Sequence, residues 1–262
     1  MAEVLTEDGI RLHVEVEGSG EPIIVFAHGL TNNCRELAAF TPMVPGTKVR
    51  FCLRGHGHSD APPSGYRFED FARDVDAVAR AYGATRAVGT SLGGGAIANL
   101  LVRKPDRFER LVLLLPAGLD RPFRNREGFL ETAALLDGSR KPEEALEAIL
   151  SDPERVRRYL QAPWLREFDR SLWEHDHPEG VAQAIREVVD DFPVPDRELL
   201  RAVASPVLLI CIEGDPVHPA ELGRILADIL PNSELLVFDD EIALLQAIPT
   251  LVAKVTAFLT GE

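Results

Sequence analysis

Ser91 stands between glycines in Gly89-Thr90-Ser91-Leu92-Gly93, with an apolar run before it and the small residues Gly93-Gly94-Gly95-Ala96 after it. This spacing suits a strained strand-to-helix turn that lifts a serine hydroxyl into a pocket, because a side chain at either flanking position would crowd the turn. The chemistry would be nucleophilic attack on a carbonyl, which needs a base for the serine proton and donors for the oxyanion. An isolated match fits a glycine-rich loop equally well, so the surrounding elements must decide. The same glycines lack the Lys-Ser/Thr of a phosphate loop, and no metal motif stands out, so neither a cofactor nor a metal is expected.

The elements are those an exposed nucleophile needs. Residues 23–27, 49–53, 86–90, 111–115, 207–212 and 234–238 are short apolar runs that suit strands covered on both faces. Residues 10–17 alternate apolar and polar, as in a half-exposed antiparallel strand, which points His13 outward. Phe68, Phe71, Val75, Val78 and Tyr82 recur at helical spacing and Gly83 ends the run. Strands alternating with helices imply an α/β fold: a mostly parallel sheet with helices on both faces and a ligand site at the carboxyl ends of the strands. Ser91 stands at such an end. Between Asp120 and Ala204 the pattern turns helical with no convincing strand. The expected division is therefore a core of residues 1–119 and 204–262, with a helical cap at 120–203 inserted between two core strands.

With these elements placed, the chain resembles the α/β-hydrolase superfamily, in its small capped esterase, lactonase and haloperoxidase-like branch. The resemblance spans nearly the whole sequence. Phe26-Ala27-His28-Gly29-Leu30 is similar to the family's oxyanion loop, which implies backbone donors at Leu30 and Leu92. Arg54-Gly55-His56-Gly57-His58-Ser59 resembles the Arg-Gly-x-Gly-x-Ser loop, with Cys52 where members usually carry Asp. Asp215, in Glu213-Gly214-Asp215-Pro216-Val217-His218-Pro219, matches the triad acid.

The family's histidine belongs on the loop after the last strand, and here that place reads Phe238-Asp239-Asp240-Glu241, with no histidine after His218. Glu241 takes the register of the base. If Asp215 and Glu241 occupy the acid and base positions, they face each other in a partly dry pocket, and one carboxyl should hold its proton more tightly. His28, His56 and His58 read as loop-organising residues, with His28 and Gly29 also at the edge of the pocket. His218 belongs to a pattern common in members with an intact triad and reads as a loop residue. His175 and His177 read as a solvated acidic turn of the cap. Trp164 and Trp173, both in the cap, are candidates for an apolar pocket wall.

Composition narrows the partners. With 42 acidic against 28 basic residues the formal charge is -14, which disfavours nucleic acid and anionic membrane. The start of the chain lacks a basic and apolar leader and no segment holds some 20 uninterrupted apolar residues, so the reading is cytoplasmic. Cys34, Cys52 and Cys211 read as buried free thiols. The partner expected is a small molecule, and oligomeric state is not legible. Three functions fit. The first is a hydrolase of a small, fairly apolar ester, lactone or related carbonyl compound, through Ser91 and a non-standard or absent base. The second is a lyase, isomerase or cyclase using the pocket carboxylates, and the third a weakly catalytic small-molecule receptor. Fold does not choose among them.

Overall fold

The computed structural model describes residues 2–38, 41–122, 125–136, 141–161 and 163–261, without the side chains of Pro42, Glu154, Gln161 and Trp164. Eight strands form one sheet: β1 (Ala2–Leu5), β2 (Arg11–Gly18), β3 (Ile23–Ala27), β4 (Thr47–Phe51), β5 (Arg86–Thr90), β6 (Arg110–Leu114), β7 (Val207–Ile212) and β8 (Ser233–Phe238). Their spatial order is β1-β2-β4-β3-β5-β6-β7-β8, with β2 antiparallel to both its neighbours and every later pairing parallel. The chain is thus the α/β fold that strand-helix alternation implies.

Alternate residues of the central strands feed two cores, one on each face. Val25, Ala27 and Leu209 join the larger core with α1 (Phe68–Tyr82) and α2 (Leu92–Arg103). Ile24, Phe26, Leu208 and Ile210 face the other way, against Leu251, Val255 and Leu259 of α9 (Glu241–Thr260). Burial on both faces is why these strands read as continuous apolar runs. By length and composition α9 could cross a membrane, but its buried residues pack on the sheet.

Between β6 and β7 the described residues hold five α-helices and no strand: α3 (Arg126–Leu135), α4 (Pro142–Leu150), α5 (Pro153–Gln161), α6 (Trp164–Leu172) and α7 (Pro178–Val188). Asn33 Nδ2 donates to the carbonyls of Ser171 (2.8 Å) and Glu174 (3.3 Å), tying this segment to the core. His175 corrects its expected solvation. It is buried between the Thr31 carbonyl (3.0 Å from Nε2) and the Gly57 N–H (2.8 Å from Nδ1). His13 is corrected likewise: it is 5% exposed, edge-on to His58 at 5.1 Å, because the loop that follows β4 folds over the face left open by strand alternation. After β7 comes α8 (Ala220–Ile229), then β8 and α9.

Candidate active site

β5 delivers Ser91 into a sharp turn, with φ 47° and ψ -108°, a backbone shape that a residue with a Cβ holds only under constraint. Ser91 N–H donates to the Leu114 carbonyl and Gly93 N–H to the His28 carbonyl, each at 3.0 Å. A Cβ on Gly93 would lie 2.2 Å from the Ala27 carbonyl oxygen, and one on Gly89 2.7 Å from the Gly94 nitrogen. Both glycines are therefore steric requirements of the turn.

The other side of the site is the loop after β3. Gly29 and Leu30 line the same cavity as Ser91, and Leu92 opens α2 directly after it. Neither the Leu30 nor the Leu92 N–H donates to another group among the described residues. His28 does not line the cavity as expected. It is 1% exposed, with Nδ1 2.7 Å from the Gly29 carbonyl and Nε2 3.0 Å from the Leu53 N–H. Burial, then the neighbouring His56, drives its pKa well down, so the ring is neutral: Nδ1–H donates, Nε2 accepts, and the loop is stiffened. Burial likewise pushes His56 to about 4 and His175 to about 3. These buried rings are committed to loop hydrogen bonds and none is bonded to Ser91.

His218 is. Its Nε2 lies 2.9 Å from Ser91 Oγ, and its Nδ1 lies 3.0 Å from Asp215 Oδ2. The reading of His218 as a loop residue is corrected by these two distances. The acid and the ring stand three residues apart on the tight loop after β7. The other oxygen of Asp215 accepts the N–H groups of Val217 (2.8 Å) and His218 (2.9 Å), which folds the loop and turns the ring toward Ser91. Burial raises the Asp215 pKa, but bonds from the His218 ring and from these two N–H groups outweigh it and hold the carboxyl down at about 2. Ionised at neutral pH, Asp215 selects the tautomer with hydrogen on Nδ1, which leaves the Nε2 lone pair facing the Ser91 hydroxyl.

The segment that would carry a histidine in the family has become helix. β8 ends at Phe238 and α9 begins at Glu241, with Asp240 capping it by accepting the Ala243 N–H at 2.7 Å. Glu241 lines the cavity but is 64% exposed and meets Arg158 at 3.4 Å. The expected Asp215–Glu241 pair with one raised carboxyl is not what forms, since each carboxylate has its own partner and Asp215 is shifted downward.

The cavity measures about 780 Å³. Trp173 lines it, with Phe129, Leu172 and Leu244, while the Trp164 side chain lies outside the described part. Arg155 lies over the Trp173 ring at 4.7 Å and pairs with Asp169 at 2.9 Å. Among the lining residues that the sequence reading did not single out is Glu36, whose Oε2 accepts the Gly29 N–H at 2.6 Å and whose Oε1 accepts from Asn32. Its only sequence signal is an acid six residues beyond Leu30, and nothing in that spacing predicts that the chain folds back onto Gly29.

The family model for the alpha/beta hydrolase fold matches residues 22–246. The chain belongs to the α/β-hydrolase family. Among relatives, the AB hydrolase superfamily protein YisY of Bacillus subtilis is 27% identical over 90% of this chain and 89% of that protein. The non-heme chloroperoxidase CPO-A1 of Kitasatospora aureofaciens is 27% identical, covering 89% of each. The 2-(acetamidomethylene)succinate hydrolase of Mesorhizobium japonicum is 36% identical, but that match spans 40% of this α/β-hydrolase and 39% of that protein. In three dimensions the enol-lactonase of Burkholderia xenovorans LB400 superposes with a TM-score of 0.79, at 23% identity, covering 99% of this chain and 100% of that one. That likeness is one of fold.

Proposed function

We propose that this α/β-hydrolase is a serine hydrolase whose base, His218, comes from the same short loop as its acid. The observation that carries the proposal is the continuous line of hydrogen bonds from Asp215 through His218 to Ser91, at 3.0 and 2.9 Å. His218 Nε2 takes the Ser91 proton as Oγ attacks the carbonyl carbon. The oxyanion forms against the Leu30 and Leu92 N–H groups, which are free to receive it, and such paired donors supply several kcal/mol. The imidazolium, balanced by Asp215, then gives its proton to the leaving oxygen, and water repeats the cycle to free the acid.

The substrate class is a small ester or lactone with a fairly apolar body, since the 780 Å³ cavity has its apolar wall in Phe129, Leu172, Trp173 and Leu244. Residues 120–203 act as the lid over the core of residues 1–119 and 204–262. Catalysis needs no cofactor, because nucleophile, base and oxyanion donors are all supplied by the chain. Three free, buried cysteines suit a cytoplasmic location. The test is hydrolysis of p-nitrophenyl acetate and butyrate by the wild type and by Ser91→Ala: turnover with an acyl-enzyme burst, lost in the variant, supports the proposal, and equal rates overturn it.

A further inference from the structure

Glu36 is an unusual neighbour for an oxyanion site. A Cβ built on Gly29 would lie 3.2 Å from Glu36 Oε1 and 3.5 Å from Ser91 Cβ, so carboxylate and nucleophile flank the same glycine. Its two partners, the Gly29 N–H and the Asn32 side-chain amide, are neutral, and no Lys or Arg pairs with it among the described residues. A partly desolvated carboxylate without a counter-charge is costly, and it also opposes the negative charge that develops beside it in an acyl-transfer transition state. Each carboxylate oxygen takes one donor, Oε2 from Gly29 and Oε1 from Asn32, so a glutamine keeps the Gly29 bond on its carbonyl once the Asn32 amide turns to present its oxygen to the new NH2. Burial raises the Glu36 pKa, and the one nearby positive charge acting on it is the His218 ring when protonated, so a substrate cation seated against Glu36 would favour its ionised form.

The rest of the cavity agrees in sign. Its two arginines are already committed, Arg155 to Asp169 at 2.9 Å and Arg158 to Glu241 at 3.4 Å. An anionic substrate finds no unpaired cation in the described lining, whereas an ammonium finds in Glu36 a carboxyl with no Lys or Arg partner among the described residues, beside the nucleophile.

We infer that Glu36 is the subsite for an ammonium group, so that the preferred substrates are esters or lactones carrying a primary or quaternary ammonium a few bonds from the reacting carbonyl. The inference rests on the serine hydrolase reading of the same site. The bound cation would supply the charge that Glu36 lacks and cancel its repulsion of the oxyanion.

Two matched pairs test it. On the acyl side, the p-nitrophenyl ester of β-alanine is compared with p-nitrophenyl butyrate, which replaces ammonium by methyl. On the alcohol side, acetylthiocholine is compared with neohexyl thioacetate. kcat/KM is measured for wild type and Glu36→Gln, the glutamine keeping an acceptor for Gly29. Taking the ratio of ammonium to neutral substrate within each protein removes both the intrinsic reactivity of the esters and any general loss in the variant. A hydrogen bond to a charged group implies that this ratio falls about ten- to a hundredfold in Glu36→Gln for at least one pair. A ratio unchanged within about twofold in both pairs, with the neutral esters still turned over, overturns the inference alone and leaves Glu36 as the acceptor for Gly29. Neutral and ammonium esters both untouched, with Ser91 unreactive toward a fluorophosphonate, overturns the hydrolase reading and this inference together.

Discussion

Asp215→Asn isolates what the acid does, because the loop leaves the new amide only one comfortable orientation. Oδ1 of Asp215 accepts from two backbone N–H groups, of Val217 and His218, while Oδ2 faces the ring. In the variant the amide oxygen must stay on those two N–H groups. Turning it round would set an NH2 against two donors, leaving each unmatched at about 1–3 kcal/mol apiece. The NH2 therefore points at His218 Nδ1 and makes it an acceptor. The ring's proton moves to Nε2, which then presents hydrogen to Ser91 Oγ and cannot take its proton. A triad locked in that tautomer loses about 10⁴ in kcat, about 5.4 kcal/mol of barrier. The assay is p-nitrophenyl butyrate hydrolysis at neutral pH, with circular dichroism to confirm the fold. A variant within tenfold of wild type would refute the reasoning, since it would mean that the acid does not set the tautomer.

Two further outcomes follow from the same geometry. Glu241→Gln removes only an exposed partner of Arg158, a contact worth less than about 1 kcal/mol, so kcat/KM should change less than about threefold, and a loss exceeding that of Ser91→Ala would restore the carboxylate mechanism. Asp215 also makes stability depend on acidity: its folded pKa of about 2 lies below the ordinary aspartate value of 3.8, so its contribution is full above about pH 4 and is lost as pH falls toward 2. Discounted for its partial solvent contact, that is on the order of 1–2 kcal/mol, measurable as a wild-type advantage over Asp215→Asn in urea at pH 6 that shrinks at pH 3. An advantage of equal size at both pH values would contradict the assigned shift.

The sheet was legible because its central strands are buried on both faces, and a continuous apolar run such as 207–212 has few other uses. Ser91 was legible because the turn that exposes it tolerates nothing but glycine at 89 and 93. His218 was visible but misread: the local pattern told of a tight loop and not of which side of the sheet the ring faces. That direction is set by two backbone bonds to Asp215, which spacing alone does not reveal. Glu241 was misplaced for the opposite reason, since register put it in the base position while Asp240 caps a helix that abolishes the loop. Glu36 and His175 depend on chain reversals and on the docking of the helical insertion, contacts between segments that periodicity cannot report.

The central claim is that His218 activates Ser91. Its most direct test is the rate of fluorophosphonate labelling, followed by intact mass and peptide mapping, in wild type and His218→Gln. The account predicts rapid, stoichiometric labelling at Ser91 in the wild type and a loss of at least a thousandfold in the variant, since a serine without its base is a poor nucleophile. Equal labelling rates in the two proteins would place the base elsewhere and contradict it.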